Sequence, residues 1–261
     1  MTAQIIYLND FRIGSKKSTF KVLLRKNCHN RHVKRKPLFA IRSEFESILD
    51  NRQALTKKPA MGSASQLDVY AYPNLMLAGR GKSNRHKYVN SVRLLIPDVL
   101  AEGVLVEGGK KSGRTSLLFR LFRQYHARNY FPVLIRGRDL KIPTSSYLDA
   151  LFKRTIEYQY GDEGIEAFFE YPQNQKLLLI DDFDYSSFAL SNDIDHIDLL
   201  RERFGLLVMT VGNSYVLRTL LEAGIPEEMG WNHYKLLPLS LVSSPHDEIA
   251  PYSPTNALVT D

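Results

Sequence analysis

Residues 103–121 read G-V-L-V-E-G-G-K-K-S-G-R-T-S-L-L-F-R-L, from Gly103 to Leu121. A short apolar run, Val104 to Val106, enters a glycine-rich turn. The turn opens onto a segment whose Leu117, Leu118, Leu121 and Phe122 recur at helical spacing. Strand, loop and helix in that order are the setting of a phosphate-binding loop, G-x-x-x-x-G-K-[ST]. Gly108 and Gly113 fill the glycine positions and Thr115 the hydroxyl position. Arg114 stands where the motif has lysine.

The residue types suit anion binding. Glycines open backbone conformations in which successive N–H groups face one phosphate. The helix that follows adds its N-terminal dipole and free N–H groups. Gly108, Gly109, Lys110, Lys111, Ser112, Gly113, Arg114, Thr115 and Ser116 are therefore the expected nucleotide-binding residues. The Thr115 hydroxyl suits Mg2+, which prefers oxygen ligands. Arginine keeps the lysine's charge but is planar and forked, so the exchange at 114 is not conservative. Lys110 and Lys111 are alternative cations within the loop.

A second motif, K-L-L-L-I-D-D-F-D, spans Lys176 to Asp184. Its continuous apolar run reads as a strand covered on both faces, hence parallel and central. Ligands of open α/β sheets bind at the carboxyl ends of the strands. Asp181 is thus expected to face the loop's crevice and hold Mg2+, and Asp182 to orient or deprotonate an attacking water. Asp184 is a further acidic candidate. The fourth apolar run, Leu206 to Val211, ends with Thr210 placed to sense a terminal phosphate or water. Asn213 is the next polar candidate.

From about residue 97 strands and helices alternate. Strands are expected at Val104–Val106, Phe131–Ile135, Lys176–Asp181, Leu206–Val211 and Tyr234–Leu237. Helices are expected at Thr115–Arg128, Ser145–Gln159, Gly164–Glu170, Asp193–Arg203 and Tyr215–Ala223. Such alternation implies a mostly parallel sheet with right-handed crossovers. Upstream, Ile5–Leu8 and Thr19–Leu24 read as short strands and Arg42–Leu55 as an amphipathic helix. Thr56–Gln66 has linker composition. Leu67–Leu77 reads as extended, with Pro73 arguing against a central strand. Tyr88–Ile96 reads as a helix stopped by Pro97.

Charge divides the chain. Residues 1–100 hold 19 Lys/Arg against 6 Asp/Glu, and the remainder 16 against 22. The basic part, densest from Arg25 to Lys36, suits nucleic acid or an acidic partner. Aromatic residues are not interleaved there, which favours a solvated face. Cys28, His29 and His32 lack a second ligand pair for zinc. One cysteine excludes an internal disulfide and fits a reducing cytosol. No apolar run is long enough to span a membrane, and the N-terminus lacks the regions of a signal peptide.

These blocks, V-E-G-G-K-K-S-G-R-T-S-L-L-F-R-L-F, F-P-V-L-I-R-G-R-D-L-K, K-L-L-L-I-D-D-F-D, L-L-V-M-T-V and Y-K-L-L-P-L-S, resemble the STAND class of P-loop NTPases over residues 67–242. Within it they resemble bacterial NACHT-like modules, including those fused to calcineurin-like phosphoesterases. The resemblance implies an α/β P-loop NTPase three-layer sandwich with a mostly parallel sheet, preceded by a small basic α+β segment. It also implies the Walker strand flanked by the third and fourth strands, ATP and Mg2+ as ligands, and a switch role in signalling or defence. Gly108, Gly113 and Thr115 match the phosphate loop, Asp181 and Asp182 the Walker B pair, and Thr210 the sensor strand.

Three features depart from the class. Arg114 replaces the lysine, the arginine expected after Thr210 is missing, and the chain ends soon after Pro238-Leu239-Ser240, as in a fragment or a small subunit. The phosphoesterase metal motifs are absent. The expected organisation is residues 1–66 as a basic segment and linker, 67–242 as the NTPase core and 243–261 as a disordered tail. The expected function is a cytoplasmic, ATP-binding, nucleotide-dependent switch with weak or absent ATP hydrolysis, associating with itself or with an effector protein. The alternatives are a working ATPase, and a basic adaptor that binds nucleic acid or an acidic partner and keeps its P-loop as a relic.

Overall fold

The computed structural model describes residues 39–51, 72–77, 87–191, 194–212, 215–222 and 230–237. Its strands are β1 (Asn74–Leu77), β2 (Lys87–Asn90), β3 (Val104–Glu107), β4 (Phe131–Arg136), β5 (Lys176–Asp181), β6 (Leu206–Val211) and β7 (Asn232–Leu236). They form one sheet in the order β2-β1-β7-β3-β6-β5-β4. The five strands from β7 to β4 run parallel, with Val106 opposite Thr210 and Tyr234, and Ile180 opposite Met209. β1 and β2 extend the sheet antiparallel. The α/β class with a mostly parallel sheet is as the sequence leads one to expect.

Continuous apolar runs explain which strands are central. Leu177 to Ile180 and Leu206 to Val211 are buried at every position, so layers cover the sheet on both faces. The α-helices are α1 (Ser43–Asn51), α2 (Pro97–Ala101), α3 (Arg114–His126), α4 (Ser145–Tyr160), α5 (Asp162–Glu170), α6 (Ser187–Ser191), α7 (Ile194–Arg201) and α8 (Tyr215–Glu222). α4 starts where the Thr144 hydroxyl accepts the Tyr147 N–H, and stops at Gly161, whose φ is +80°. Its last turn covers the sheet edge. The Gln159 amide bonds both the N–H and the C=O of Leu134, and the Tyr160 hydroxyl donates to the Pro132 carbonyl. An open edge strand is thereby closed by side chains.

The helix expected over Arg42–Leu55 is α1, with Phe45 and Leu49 buried; residues 52–55 lie outside the described ones. Phe45 meets Phe122 edge-on at 5.3 Å. Phe39 stacks on Phe131 at 4.5 Å, and its carbonyl lies 3.0 Å from Nε2 of His126. Burial lowers the His126 pKa and keeps that imidazole neutral. By packing, the chain divides between Arg35 and Lys36, and α1 belongs to the second unit.

Two expectations are corrected. The Walker strand β3 is flanked by the fourth and fifth strands of the alternating region, β6 and β7, rather than by the third and fourth. Tyr88–Ile96 is helical only in part. Its first residues pair with β1, and Ser91–Leu95 form a 3-10 turn capped by the Asn90 side chain at Val92 N. The N-terminal strands, the run Arg25–Lys36 with Cys28, His29 and His32, the linker Thr56–Gln66, Asn213 and the tail 243–261 lie outside the described residues. Among the described residues no helix is long and apolar enough to cross a membrane.

Candidate phosphate-binding site

The loop from Gly108 to Gly113 joins β3 to α3 at the carboxyl end of the sheet. Gly113 turns left-handed, with φ +97°, just before the helix begins at Arg114. Gly108 is crowded by side chains. A Cβ there would come within 2.5 Å of Ser112 Oγ and 3.0 Å of Arg114 Cγ. The Gly108 N–H is held by the Val211 carbonyl at 3.0 Å, tying the loop's entry to β6. Gly109 faces open space.

Arg114 folds its stem back over Gly108, and one guanidinium nitrogen, Nη2, reaches Asp182 Oδ1 at 2.9 Å. Its other terminal nitrogen, Nη1, is buried and unpartnered, as is Ser112 Oγ. Buried donors without acceptors cost free energy, and here they lie in a loop of glycines. That is the complement of a phosphate oxygen. Lys110 and Lys111 are exposed at the loop's tip, Lys111 with φ +63°. The cation folded into the loop is therefore Arg114. Ser116 lies in the first turn of α3.

The second and third motifs converge on the loop. Thr115 Oγ1 donates to Asp181 Oδ2 at 2.8 Å. Thr210 Oγ1 lies 3.0 Å from Asp181 Oδ1 and accepts the Asp182 N–H at 3.1 Å. Thr210 is fully buried. Its hydroxyl bonds both aspartates, and so it positions them at the end of the sheet. Thr115 and Asp181 offer hard oxygen atoms side by side, the donor set that suits Mg2+.

The Asp182 side chain is 44% exposed. Its backbone is left-handed at φ +54°. Burial, joined by repulsion from Asp181 and Asp184 and opposed by Arg114, raises its pKa above the usual carboxylate value. A carboxylate with a raised pKa is a better proton acceptor near neutrality. Asp184 differs in being buried. It accepts the Gly212 N–H at 3.2 Å and so braces the turn after β6.

Sequence reading missed two supports of this site. Gly137, in the 3-10 turn after β4, is buried against the Asp182 carbonyl, where any Cβ would collide. Its only sequence signal was a glycine between two arginines. Glu107, the last residue of β3, meets His233 Nε2 at 3.5 Å and Lys235 Nζ at 3.8 Å from β7. His233 chiefly, with Lys235, holds the Glu107 pKa below its usual value against burial. The stabilisation this carries is present above the ordinary glutamate pKa and is lost as pH falls through the lowered value.

No protein-family model matches this sequence, and no curated protein matches it. Among solved structures it is similar to AMPPCP-bound DnaA from Aquifex aeolicus, at 13% identity and a TM-score of 0.35, over 56% of this chain and 44% of that one. It is also similar to Drosophila ORC bound to AT-rich DNA and Cdc6, at 15% identity and a TM-score of 0.34, over 56% of this chain and 55% of that one. Each match thus spans about half of the solved chain. Likeness of this order does not bear on ligand or reaction.

Proposed function

We propose that residues 67–242 form a STAND-like module that binds ATP with Mg2+ and acts as a nucleotide-dependent switch in signalling or defence, with weak or absent hydrolysis. The observation that carries this is the 2.8 Å contact between Thr115 Oγ1 and Asp181 Oδ2 at the foot of the glycine loop. Two motifs 66 residues apart meet there, at the carboxyl ends of parallel strands, where such ligands bind. Thr115 and Asp181 would hold Mg2+, which when bound neutralises phosphate charge. The loop N–H groups, Ser112 and Arg114 would hold the phosphates.

Slow turnover follows from Arg114. Its guanidinium pairs with Asp182 at 2.9 Å, so the candidate base and the loop cation engage each other. A phosphate must compete with Asp182 for that cation. The planar fork also lacks the compact reach of the lysine ammonium.

Calorimetric titration of the full chain with ATP, with and without Mg2+, tests the reading. Micromolar, magnesium-dependent binding is expected, and absence of binding at millimolar ATP would overturn it. On the same preparation Arg114→Lys is expected to raise ATP turnover by about tenfold, or about 1.4 kcal/mol of barrier. Unchanged turnover would remove Arg114 as the cause of slow hydrolysis.

A further inference from the structure

A cavity of about 470 Å3 lies beside the phosphate loop, between α1, α3, α4 and the carboxyl end of β4. Three arginines line it: Arg136 at the end of β4, Arg138 in the turn that follows, and Arg154 on α4. Among the described residues no ion pair engages any of the three. Phe45, Phe119 and Leu151 give the cavity an apolar wall, and Thr115 and Asp181 form the side that it shares with the loop. The glycines of the loop do not line it, so it adjoins the phosphate cradle at Thr115 and Asp181 without including the loop itself.

The three arginines are exposed and line one cavity, and their like charges attract an anion there. Asp139 and Asp181 also line the space. Three arginines against these two aspartates leave the lining net positive. Three arginine forks match the several oxygens and double charge of a phosphomonoester better than the two oxygens of a carboxylate. An inorganic ion would leave the apolar wall uncovered. The volume lies within the range of small-molecule sites.

We propose that this cavity binds a small phosphomonoester with an aromatic or apolar body, held by Arg136, Arg138 and Arg154 at the phosphate and by Phe45, Phe119 and Leu151 at the body. The site lies against the Thr115–Asp181 pair but does not depend on the nucleotide reading, because none of these residues belongs to the glycine loop.

The probe is 1-naphthyl phosphate, titrated into the full chain by calorimetry without ATP. Saturable submillimolar binding is expected. R136Q/R154Q should weaken it by about tenfold or more, since each lost arginine removes charge-assisted hydrogen bonds. Inorganic phosphate, 1-naphthol and 1-naphthoate should each bind at least about tenfold more weakly, lacking the body, the charge or the third oxygen. Cooperative melting of the variant establishes that it is folded. Should it not fold, R138Q, in the exposed turn, takes its place.

Equal binding of probe to wild type and variant would overturn the proposal, as would 1-naphthol or 1-naphthoate binding as tightly as the phosphate. Loss of probe with retained ATP binding in R136Q/R154Q is the expected pattern. A wild-type chain that takes the probe but not ATP would overturn the nucleotide reading alone.

Discussion

Asp181→Ala is expected to abolish the magnesium dependence of ATP binding and to lower affinity in the presence of Mg2+ by about 10–100-fold, the usual cost of losing a partner that orients a metal. The side chain has two oxygens and two roles. Oδ2 accepts the Thr115 hydroxyl at 2.8 Å, and Oδ1 lies 3.0 Å from the Thr210 hydroxyl. Alanine removes the anionic oxygen that a hard cation needs and leaves the Thr115 hydroxyl alone to hold it. Affinity without Mg2+ should hardly change, because the loop N–H groups, Ser112 and Arg114 are untouched. The fold should survive with a loss of about 1–2 kcal/mol, since Thr210 is buried and keeps the Asp182 N–H at 3.1 Å. Asp181→Asn separates the two roles. Its amide retains hydrogen bonds to both threonines while removing the charge, so it should melt like the wild type and still lose the magnesium response. Calorimetry with and without Mg2+, beside a thermal melt, reads both. Unchanged metal dependence in both variants would remove Asp181 from the metal site.

That such a site was legible before any coordinates has a local cause. β3, β5 and β6 are apolar runs, and each is broken near its carboxyl end: by Glu107 and Gly108 at β3, by Asp181 at β5 and by Thr210 in β6. Those breaks fall at one end of the sheet because all three strands are parallel. What stayed hidden depends on partners distant in sequence. Strand order is one case: Asn232–Leu236 gives no sign that it pairs with β3 on one side and β1 on the other. Tyr88–Asn90 is another, since the helix expected over Tyr88–Ile96 gave way there to pairing with β1. Thr210 was readable as a site residue because strand-end hydroxyls can face ligand. Its zero exposure and its contacts with both aspartates could be seen only once β5 and β6 lay side by side. The role of Arg114 also waited on geometry, for its identity alone said nothing of Asp182.

Gly137→Ala is expected to be the most damaging alanine substitution among the described glycines, destabilising the chain by about 3 kcal/mol and impairing ATP binding without touching any residue of the phosphate loop. A Cβ at 137 would stand 2.1 Å from the Asp182 carbonyl oxygen and 2.8 Å from both the Asp182 carbonyl carbon and the Phe183 Cα. These are backbone atoms, so no side-chain rotation relieves the clash, and the two 3-10 turns Gly137–Asp139 and Phe183–Tyr185 must move apart. Neither can move freely. The Asp182 carbonyl accepts the Tyr185 N–H at 3.1 Å, the Gly137 carbonyl accepts the Leu140 N–H at 2.9 Å, and the Leu140 carbonyl accepts the Ser187 N–H at 3.0 Å. Asp182 already holds a left-handed conformation unusual for its type. Pushing its backbone shifts the carboxylate from Arg114 and the Asp182 N–H from Thr210. A loss of that size lowers the midpoint of thermal unfolding by about 10 °C for a chain of this length. Gly109→Ala is the matched control. It lies in the motif, yet its Cβ would meet nothing within 4 Å, so its stability should stay within about 0.5 kcal/mol of wild type. The pair inverts what the motif alone would lead one to expect, because the glycine inside the loop tolerates a methyl group and the one outside it does not. Urea unfolding of both variants decides it. Equal stability of Gly137→Ala and wild type would mean that the turns after β4 and β5 do not meet as described, and the placement of Asp182 beside Arg114 would fall with them.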